Sequence, residues 1–523
     1  MEDKKSSTPS VVESNNGQKY QQQQEKLDPS KMQANAPSAS RRWLSHVLGD
    51  IYAEDSPQDL SKGKKNAIIL VVALGGVFGP LASMIYMPSL VNIAQALNTS
   101  TASVNATIST FVVFMGIGPL FWASFSDLYG RKPMYLISII IFIIASVLCG
   151  ISTSVPELAI FRAIQAIGAS AGQSVGAGVI SDVFIPAERG TAYGFFYVGP
   201  LCGPVIGPLL GGILGEFLGW RSNFYFLAIV GGILFAMVLF FLPETLRKKH
   251  DDNWDEVTIP KKRSMMDNIR HVSAAFKPMI GLLSYPNVMV ITMYNTVIFG
   301  ALYFMNPTIT QTFTQLYNYN DLIIGLCYLP FGLGLMVGSI GSGRWSDWLL
   351  ARKKRLTNGP VPHEYRLIAT FPSVILIPLG YLGYGWSTQK GTSVWIPLVS
   401  LFVYGVGQMT AFNSSSVYLV DCSPGRSASA IAVNNFFRTI VAAIVTAFSI
   451  QCIEAIGTGP LFSILAGINV LNILNVLVVR RYGERWRSAA MKREGLEVVA
   501  TKPQQPDEEA AIGRSLSRCD STT

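Results

Sequence analysis

The sequence predicts an all-α integral membrane protein with twelve transmembrane helices in two six-helix halves. Half of its 523 residues are apolar and only 14% are charged, a composition typical of a polytopic membrane protein rather than of soluble domains. The apolar residues form twelve runs, each near the length of about 20 residues that a helix needs to cross a bilayer. Lysine and arginine concentrate in alternate loops between these runs.

A charged segment at residues 246–286 separates the runs into two groups of six. We expect a first bundle over 66–245 and a second over 287–480, with a tail at each terminus, 1–65 and 481–523. The predicted spans are 66–87, 104–125, 134–151, 157–180, 190–213, 221–242, 287–310, 322–343, 367–386, 394–420, 428–453 and 460–480.

The N-terminal tail is rich in Ser, Gln, Asn and Lys, so we expect disorder and no cleavable signal peptide. One stretch after Arg41-Arg42 departs from this pattern because its apolar residues recur at helical spacing. These residues are Trp43, Leu44, Val47, Leu48, Ile51 and Tyr52. They predict a short amphipathic helix that lies on the inner membrane surface or docks on a protein.

The loop charges predict the orientation of the chain. One set of loops is basic, and the alternate loops contain little beyond Arg221 and Lys390. By the positive-inside rule, both termini and the central segment lie in the cytoplasm. The net charge of +9 therefore indicates cytoplasmic membrane flanks rather than nucleic-acid binding. Asn98, in the sequon Asn98-Thr99-Ser100 of the first outer loop, is a candidate glycosylation site.

Several activities are disfavoured by what the sequence lacks. The six cysteines have no paired spacing and most lie in apolar runs, so we expect neither a disulfide framework nor a metal site. An ATP-driven pump would need a Gly-x-x-x-x-Gly-Lys-Ser/Thr phosphate loop, which does not occur. No nucleophile–base set indicates an enzyme, and no cofactor is expected.

The fifth run contains a stripe of glycines at every fourth position, Gly199, Gly203, Gly207 and Gly211. A proline follows each of the first three. Proline inside a water-exposed helix costs about 3 kcal/mol, whereas neighbouring helices in a bilayer can satisfy the freed carbonyls. The stripe lies along one helix face and predicts close approach of another helix.

The spacing of this stretch resembles a known signature. The residues concerned are Gly190, Gly199, Gly203, Pro204 and Gly207, with gaps of eight, three, no and two residues. This spacing matches the antiporter signature in the fifth helix of drug:proton antiporters of the major facilitator superfamily. The resemblance implies the major facilitator fold and an exporter.

The loop after span 2 carries a second resemblance. Residues 125–132, FSDLYGRK, resemble the superfamily signature Gly-x-Leu-Ala-Asp-Arg-x-Gly-Arg-Lys. Asp127, Gly130, Arg131 and Lys132 are in place, whereas Ala123 and Leu128 depart from the signature. The resemblance implies control of the change between inward- and outward-open states. The alternative is a solvated turn.

The hypothesis that follows from this resemblance is that the loop after span 2 forms part of a gate. We expect Asp127 to lie near Ser427 at the amino end of span 11, where free amides and the helix dipole favour an anion. Asp127 and Arg131 would join Asp182 and Arg189 in a network that holds the inner face closed.

The two halves repeat parts of this pattern, as transporter repeats do. Asp127 follows span 2, and Asp347 follows span 8. An aspartate and an arginine bracket the loop before span 5 and again the loop before span 11, namely Asp182 with Arg189 and Asp421 with Arg426. The matching order supports a duplicated architecture.

Arg162 lies in span 4, followed by Gln165 and Gly168. An arginine in hydrocarbon costs about 2.5–3.5 kcal/mol on insertion scales, so it should face water or a partner. The stretch resembles the family's fourth-helix signature, although Ala166 replaces a glycine. The resemblance implies a part in proton transfer, and a structural pair is the alternative.

Arg438 lies in span 11 on the same helix face as Asn434. This segment, AVNNFFRTIV, and the preceding DCSPGRSASA resemble the fungal quinidine-resistance branch of the drug:proton antiporters. The ends of span 1, Tyr86-Met87-Pro88, and span 6, Pro243-Glu244-Thr245, fit the same branch. The resemblance covers residues 66–487 and excludes the tails.

Two arginines within spans, without an acidic residue near any span's midpoint, predict a cavity that stabilises an anionic or hydrogen-bonding substrate. An aromatic, amide-rich lining suits bulky amphipathic molecules. The candidate cavity residues are Tyr86, Tyr294, Asn295, Gln408, Asn413, Asn434 and Arg438. Any single aromatic among them can equally face lipid.

Together these features predict a secondary transporter that exports small organic molecules or drugs from the cytoplasm by proton antiport. The first alternative is an exporter of organic acids (carboxylates or amino acids), which Arg162 and Arg438 favour. The second is a non-transporting membrane sensor with a transporter fold. We expect a monomer in the plasma membrane, or in the vacuolar membrane. Its partners would be its substrate, protons and lipid, and not nucleic acid.

Overall fold

A computed structural model describes residues 57–246, 281–282, 284–357, 362–422 and 427–493. The predicted amphipathic helix after Arg42, most of the central segment and the C-terminal tail lie outside these described residues, as does Arg426.

The described chain is helical throughout, and its long helices correspond to the predicted spans. Spans 1 to 6 are Lys62–Met84, Thr101–Tyr129, Arg131–Ile151, Val155–Val183, Pro186–Leu218 and Arg221–Phe241. Spans 7 to 12 are Pro286–Tyr317, Asp321–Thr357, Ser373–Gln389, Trp395–Asp421, Ser427–Ala447 and Thr458–Arg493. The shorter elements are the helices Leu90–Ala96 and Ser449–Ile456 and the 3-10 helices Pro57–Asp59 and His363–Thr370. The predicted twelve-helix fold is confirmed.

Span 4 is the one long helix of the described chain that is not apolar enough to be recognised as a membrane span by composition. It carries Arg162 and Gln165 and many glycines and serines. Residues 165–172 are buried except Ile167, because span 4 packs against spans 1, 2 and 3. A helix enclosed by other helices does not need an apolar surface toward lipid.

Among the predicted boundaries that differ from the structure are the ends of spans 1 and 11. The span 1 helix ends at Met84 rather than 87, and a turn follows, because the residue before Pro88 is disfavoured in helical conformation. The predicted span 428–453 is interrupted at Phe448. The carbonyl of Thr446, next to this break, accepts a hydrogen bond from Asn105 Nδ2 of span 2 at 2.5 Å. A contact with the first half therefore lies at the interruption.

The bundle has two ends of different composition. One end carries basic residues at the starts of spans 3 and 5, before span 9 and at the ends of spans 8 and 12, namely Arg131, Arg189, Arg366, Arg352 and Arg485. We call it the basic end and the other the opposite end. The candidate glycosylation residue Asn98 is exposed at the opposite end, in a left-handed turn with φ 48°.

The two halves meet along two pairs of helices. Span 5 of the first half packs against span 8, and span 2 packs against span 11. Glycines allow the closest approach at both places. A Cβ on Gly325 would lie 2.5 Å from the carbonyl oxygen of Pro208, and a Cβ on Gly116 would collide with the hydroxyl of Thr439.

Candidate transport site and charge networks

An arginine bridges two aspartates at the basic end of the first half. Arg131 Nη1 lies 2.6 Å from Asp127 Oδ1, and Arg131 Nε lies 3.0 Å from Asp182 Oδ2. Gly130 places this arginine at the start of span 3, since its φ of 99° is a backbone conformation that glycine adopts readily. The network ties the basic ends of spans 2, 3 and 4 together.

The second half contains a matching bridge. Arg366 Nη1 lies 3.5 Å from Asp347 Oδ1, and Arg366 Nε lies 3.0 Å from Asp421 Oδ2. The two aspartates lie in the basic-end parts of spans 8 and 10, as Asp127 and Asp182 lie in those of spans 2 and 4 in the first half. The sequence identified both aspartates but not the arginine between them. The sequence feature that could have identified Arg366 is its position just before span 9, which corresponds to the position of Arg131 at the start of span 3.

Glu244 adds a contact that sequence reasoning missed. It is 8% exposed, and its two carboxylate oxygens accept the backbone amides of Arg131 at 2.9 Å and Lys132 at 3.1 Å. These amides begin span 3, where the helix dipole stabilises an anion. The end of span 6 is thereby fixed to the start of span 3 beside the charge network.

Arg189 contributes to the same region through backbone oxygens. It donates to the carbonyl of Ser181 at 2.7 Å and to that of Phe184 at 3.0 Å. These carbonyls lie at the end of span 4, where a cation is favourable. Arg189 therefore supports the helix end that carries Asp182.

The contact expected between Asp127 and span 11 stays a prediction. The Ser427 side chain lies outside the described residues, and the Asp127 side chain is 61% exposed. The described basic end contains ion pairs within each half, including Lys65–Glu188 in the first half and Arg487–Glu364 in the second.

The glycine stripe of span 5 faces the backbone of span 1. A Cβ on Gly203 would lie 2.5 Å from Pro80 Cβ and 2.9 Å from the Leu81 amide nitrogen, and a Cβ on Gly207 would lie 3.1 Å from Met84 Cβ. Gly212, on the adjacent face, meets span 8 of the second half. Span 5 thus lies between span 1 and the other half of the bundle.

Arg162 is completely buried in the first half. Its Nη1 donates to the carbonyl of Ala82 at 2.8 Å and to Gln165 Oε1 at 2.7 Å. The guanidinium lies over the rings of Tyr86 at 4.3 Å and Phe111 at 4.0 Å. All four of these groups are neutral, so they stabilise the charge through a carbonyl, an amide and cation–π contacts.

Arg438 differs from Arg162 in its exposure, since it is half-buried rather than buried. Its guanidinium lies 4.2 Å from the ring centre of Phe299 and 4.8 Å from that of Phe412. Tyr303 packs against Phe299 with ring centres 4.9 Å apart, and its hydroxyl lies 3.4 Å from Ser83 Oγ of span 1. The aromatic group under Arg438 therefore reaches the first half.

These features agree with the comparison of the chain with known families. Residues 72–447 match the model of the Major Facilitator Superfamily. The chain belongs to this superfamily. It is accordingly a multi-pass membrane transporter and not an enzyme.

Relatives of this superfamily member include fungal transporters. It is 27% identical over 575 aligned residues to the MFS antiporter QDR3 of Candida albicans, covering 86% of this chain and 82% of that one. It is 33% identical over 457 residues to the multidrug transporter DTR1 of Candida glabrata, covering 80% and 84%. The predicted resemblance to the fungal quinidine-resistance branch is confirmed.

Among solved structures, the crystal structure of the D-xylose-proton symporter matches the transporter with a TM-score of 0.59. The match covers 79% of this chain and 97% of that one at 15% identity, so it shows the shared fold alone.

The polar residues predicted for the cavity fall into separate clusters in this superfamily member. Asn295 Nδ2 donates to Asn434 Oδ1 at 3.0 Å, and both residues are buried between spans 7 and 11. Gln408 Nε2 donates to the carbonyl of Ile298 at 2.9 Å, and its Oε1 accepts from the Tyr404 hydroxyl at 3.2 Å.

The remaining predicted cavity residues make other contacts. Asn413 Nδ2 donates to the carbonyl of Ser339 in span 8 at 3.1 Å. Tyr294 is buried, and its carbonyl accepts from Asn472 Nδ2 at 3.0 Å. Tyr86 lies in the first half against Arg162. Arg438 is therefore the charged residue of the predicted cavity, and it is only partly buried.

Proposed function

We propose that this transporter exports small organic molecules or drugs from the cytoplasm in exchange for protons. The observation that carries the proposal is the packing of the antiporter signature, whose glycines hold span 5 against span 1. The names of the two fungal relatives, an antiporter and a multidrug transporter, support the same activity.

The proposed orientation places the basic end, and with it both termini, in the cytoplasm, in accord with the positive-inside rule. Arg352 and Arg485 are exposed there on the extensions of spans 8 and 12. The plasma membrane is the proposed location and the vacuolar membrane the alternative.

Each charge network would make one half of the transporter move as a unit. Arg131 joins spans 2, 3 and 4, and Arg366 joins spans 8, 9 and 10. Alternating access in this class of fold is largely a rocking of one half against the other. Asp127, Gly130, Arg131, Asp182 and Arg189 are the gating residues of the proposal.

Arg162 is the proposed participant in proton coupling. Its charge has an amide, a carbonyl and two rings as neighbours. A carboxylate introduced beside it by a substrate would be strongly stabilised in this low-dielectric site, and a cation would be repelled. Proton binding and substrate charge would therefore be linked through this residue.

Export of organic acids is the second candidate function, favoured by Arg438. Stacking on Phe299 and Phe412 fixes the plane of its guanidinium, and the residue is not completely buried. A planar, fixed guanidinium matches a carboxylate with two parallel hydrogen bonds.

We expect substrate movement in proteoliposomes to follow an imposed pH gradient and to stop when a protonophore collapses it. Proton exchange makes the gradient the driving force, so uptake into vesicles should reverse direction when the gradient is reversed. Radiolabelled substrate accumulation measures this effect. Transport that ignores the gradient would exclude antiport and leave facilitated diffusion.

We expect Asp127→Asn to lower transport several-fold while membrane abundance stays within about twofold, since exposed ion pairs contribute only about 0.2–1 kcal/mol to stability. The substitution keeps the side-chain volume and removes the charge that Arg131 binds at 2.6 Å. Transport rate and the reactivity of cysteines placed between the halves measure the effect. Asp347→Asn is the matched variant and should act more weakly, since its arginine contact is 3.5 Å. Unchanged cysteine reactivity would remove Asp127 from the gate.

A further inference from the structure

Asp321, the first residue of span 8, lies between the two halves at the opposite end of the bundle. Its side chain is buried, with the residue only 4% exposed. Asp321 Oδ2 accepts a hydrogen bond from Ser89 Oγ at 2.5 Å, and Oδ1 accepts one from Asn92 Nδ2 at 2.9 Å. Both donors belong to the first half, in the turn and short helix that follow span 1.

An acidic residue in the first turn of a helix is ordinarily explained by the helix dipole. Asp321 differs because both of its carboxylate oxygens are bonded to residues outside its own helix and its own half. Span 5 leaves room for this contact. A Cβ on Gly215 would lie 2.8 Å from Asp321 Oδ2, and a Cβ on Gly212 would collide with the Asp321 carbonyl.

Two more residues, Asn105 and Thr310, make neutral hydrogen bonds between the halves at the same end. Asn105 Nδ2 of span 2 donates to the carbonyl of Thr446 at 2.5 Å and to Ser449 Oγ, in the short helix after span 11, at 3.1 Å. Thr310 Oγ1 of span 7 donates to the carbonyl of Met87 at 2.9 Å. Polar contacts of the described residues thus cross between the halves beside spans 7, 8 and 11 and hold the opposite end closed.

We propose that the Asp321 carboxylate is a positioning group for transport, a latch that holds the opposite end closed between the two halves. Hydrogen bonds to a charged acceptor are roughly twice as strong as those between neutral groups, so this contact outweighs the two neutral ones. Opening separates both donors from the carboxylate and lets water solvate it, which compensates part of the loss. Because water compensates only part of the lost hydrogen bonding, the contact favours the closed state of the opposite end but still allows this end to open.

The proposal rests on the proposed function only for the statement that the opposite end faces outward. Its labelling test is read without substrate or a pH gradient, so failure of proton exchange would leave it intact. A single cysteine at Ser83, which lies between the halves beside Tyr303, serves as the probe. The background is a variant that lacks the six native cysteines and retains transport.

We expect Asp321→Ala to raise the labelling rate of Ser83→Cys by a membrane-impermeant maleimide roughly tenfold, because two charge-assisted hydrogen bonds to the closed state are lost. The label is applied to right-side-out and to inside-out vesicles, and the increase should occur from the side of the opposite end alone. Glu157→Gln is the matched control. Glu157 is also an acid in the first turn of a helix at the opposite end, but it is exposed and its carboxylate accepts from Thr153 of its own half, so its removal should leave labelling unchanged.

Ser89→Ala provides a second variant should Asp321→Ala fail to reach the membrane. It removes one donor, leaves the carboxylate in place, and should raise labelling in the same direction by a smaller factor. A pair of cysteines at Ser89 and Asp321 should also stop transport under oxidation and restore it on reduction, whereas neither single cysteine should. Unchanged labelling in both variants, or an equal increase in Glu157→Gln, would falsify the latch.

Discussion

Replacement of Gly203 by leucine should abolish transport, with at least a tenfold loss, while the protein still inserts into the membrane. The first added atom would lie 2.5 Å from Pro80 Cβ and 2.9 Å from the Leu81 amide nitrogen. These neighbours are backbone or directly attached to it, so they cannot rotate away, and spans 1 and 5 must separate. Overpacking of this kind costs about 1–3 kcal/mol. We expect the folded twelve-helix bundle to tolerate this cost, whereas the close contact between spans 1 and 5 is lost.

Gly194→Leu is the matched control for this substitution. Gly194 lies on the same helix, is exposed, and has no atom within 4 Å of the position its Cβ would take. We expect normal transport in this variant. Both variants are compared by substrate uptake into vesicles at equal membrane abundance. Full activity in Gly203→Leu would mean that the contact with span 1 is dispensable for transport.

The number of helices could be predicted from the sequence because an apolar run of sufficient length is a local property. The helix ends could not be predicted from the sequence, because the apolar pattern marks only the part of each helix that lies within the hydrocarbon. Span 8 continues to Thr357 rather than 343, through basic residues that favour a helix but not a membrane interior. Span 12 continues to Arg493 in the same way.

Parts of the charge networks could also be predicted, because the aspartates recur in the same order in both halves. The connection of Asp347 and Asp421 through Arg366 could not be predicted, because it depends on how spans 8, 9 and 10 meet. Glu244 was recognised only as part of a resemblance, since its contact with the start of span 3 links distant parts of the chain. Asp321 was missed because an acidic residue in the first turn of a helix is common, and its burial depends on how the helices pack.

The surroundings of Arg438 were the least predictable part of the candidate site. Its charge and its neighbour Asn434 are visible in the sequence, but Asn434 bonds to Asn295 and is satisfied within the second half. The two rings below the guanidinium come from spans 7 and 10. Aromatic residues are frequent in all spans, so no spacing rule distinguishes Phe299 and Phe412 from residues that face lipid.

Arg438→Lys should therefore reduce transport of organic anions about tenfold or more and transport of neutral drugs much less. Lysine keeps the charge but cannot lie flat on Phe299 and Phe412 or offer two parallel donors to a carboxylate. Cells with the substitution are compared with wild-type cells, at matched expression, for tolerance of weak acids and of neutral drugs. Arg480→Lys is the control, because Arg480 also lies over a ring, Phe371 at 5.8 Å, but at the basic end.

The pattern of loss distinguishes the roles open to Arg438. A larger loss for anions than for neutral drugs would support direct binding of a carboxylate and with it the export of organic acids. An equal loss for both, with lower membrane abundance, would mean that the stacked guanidinium mainly holds spans 7, 10 and 11 together. No loss for either would remove Arg438 from the site.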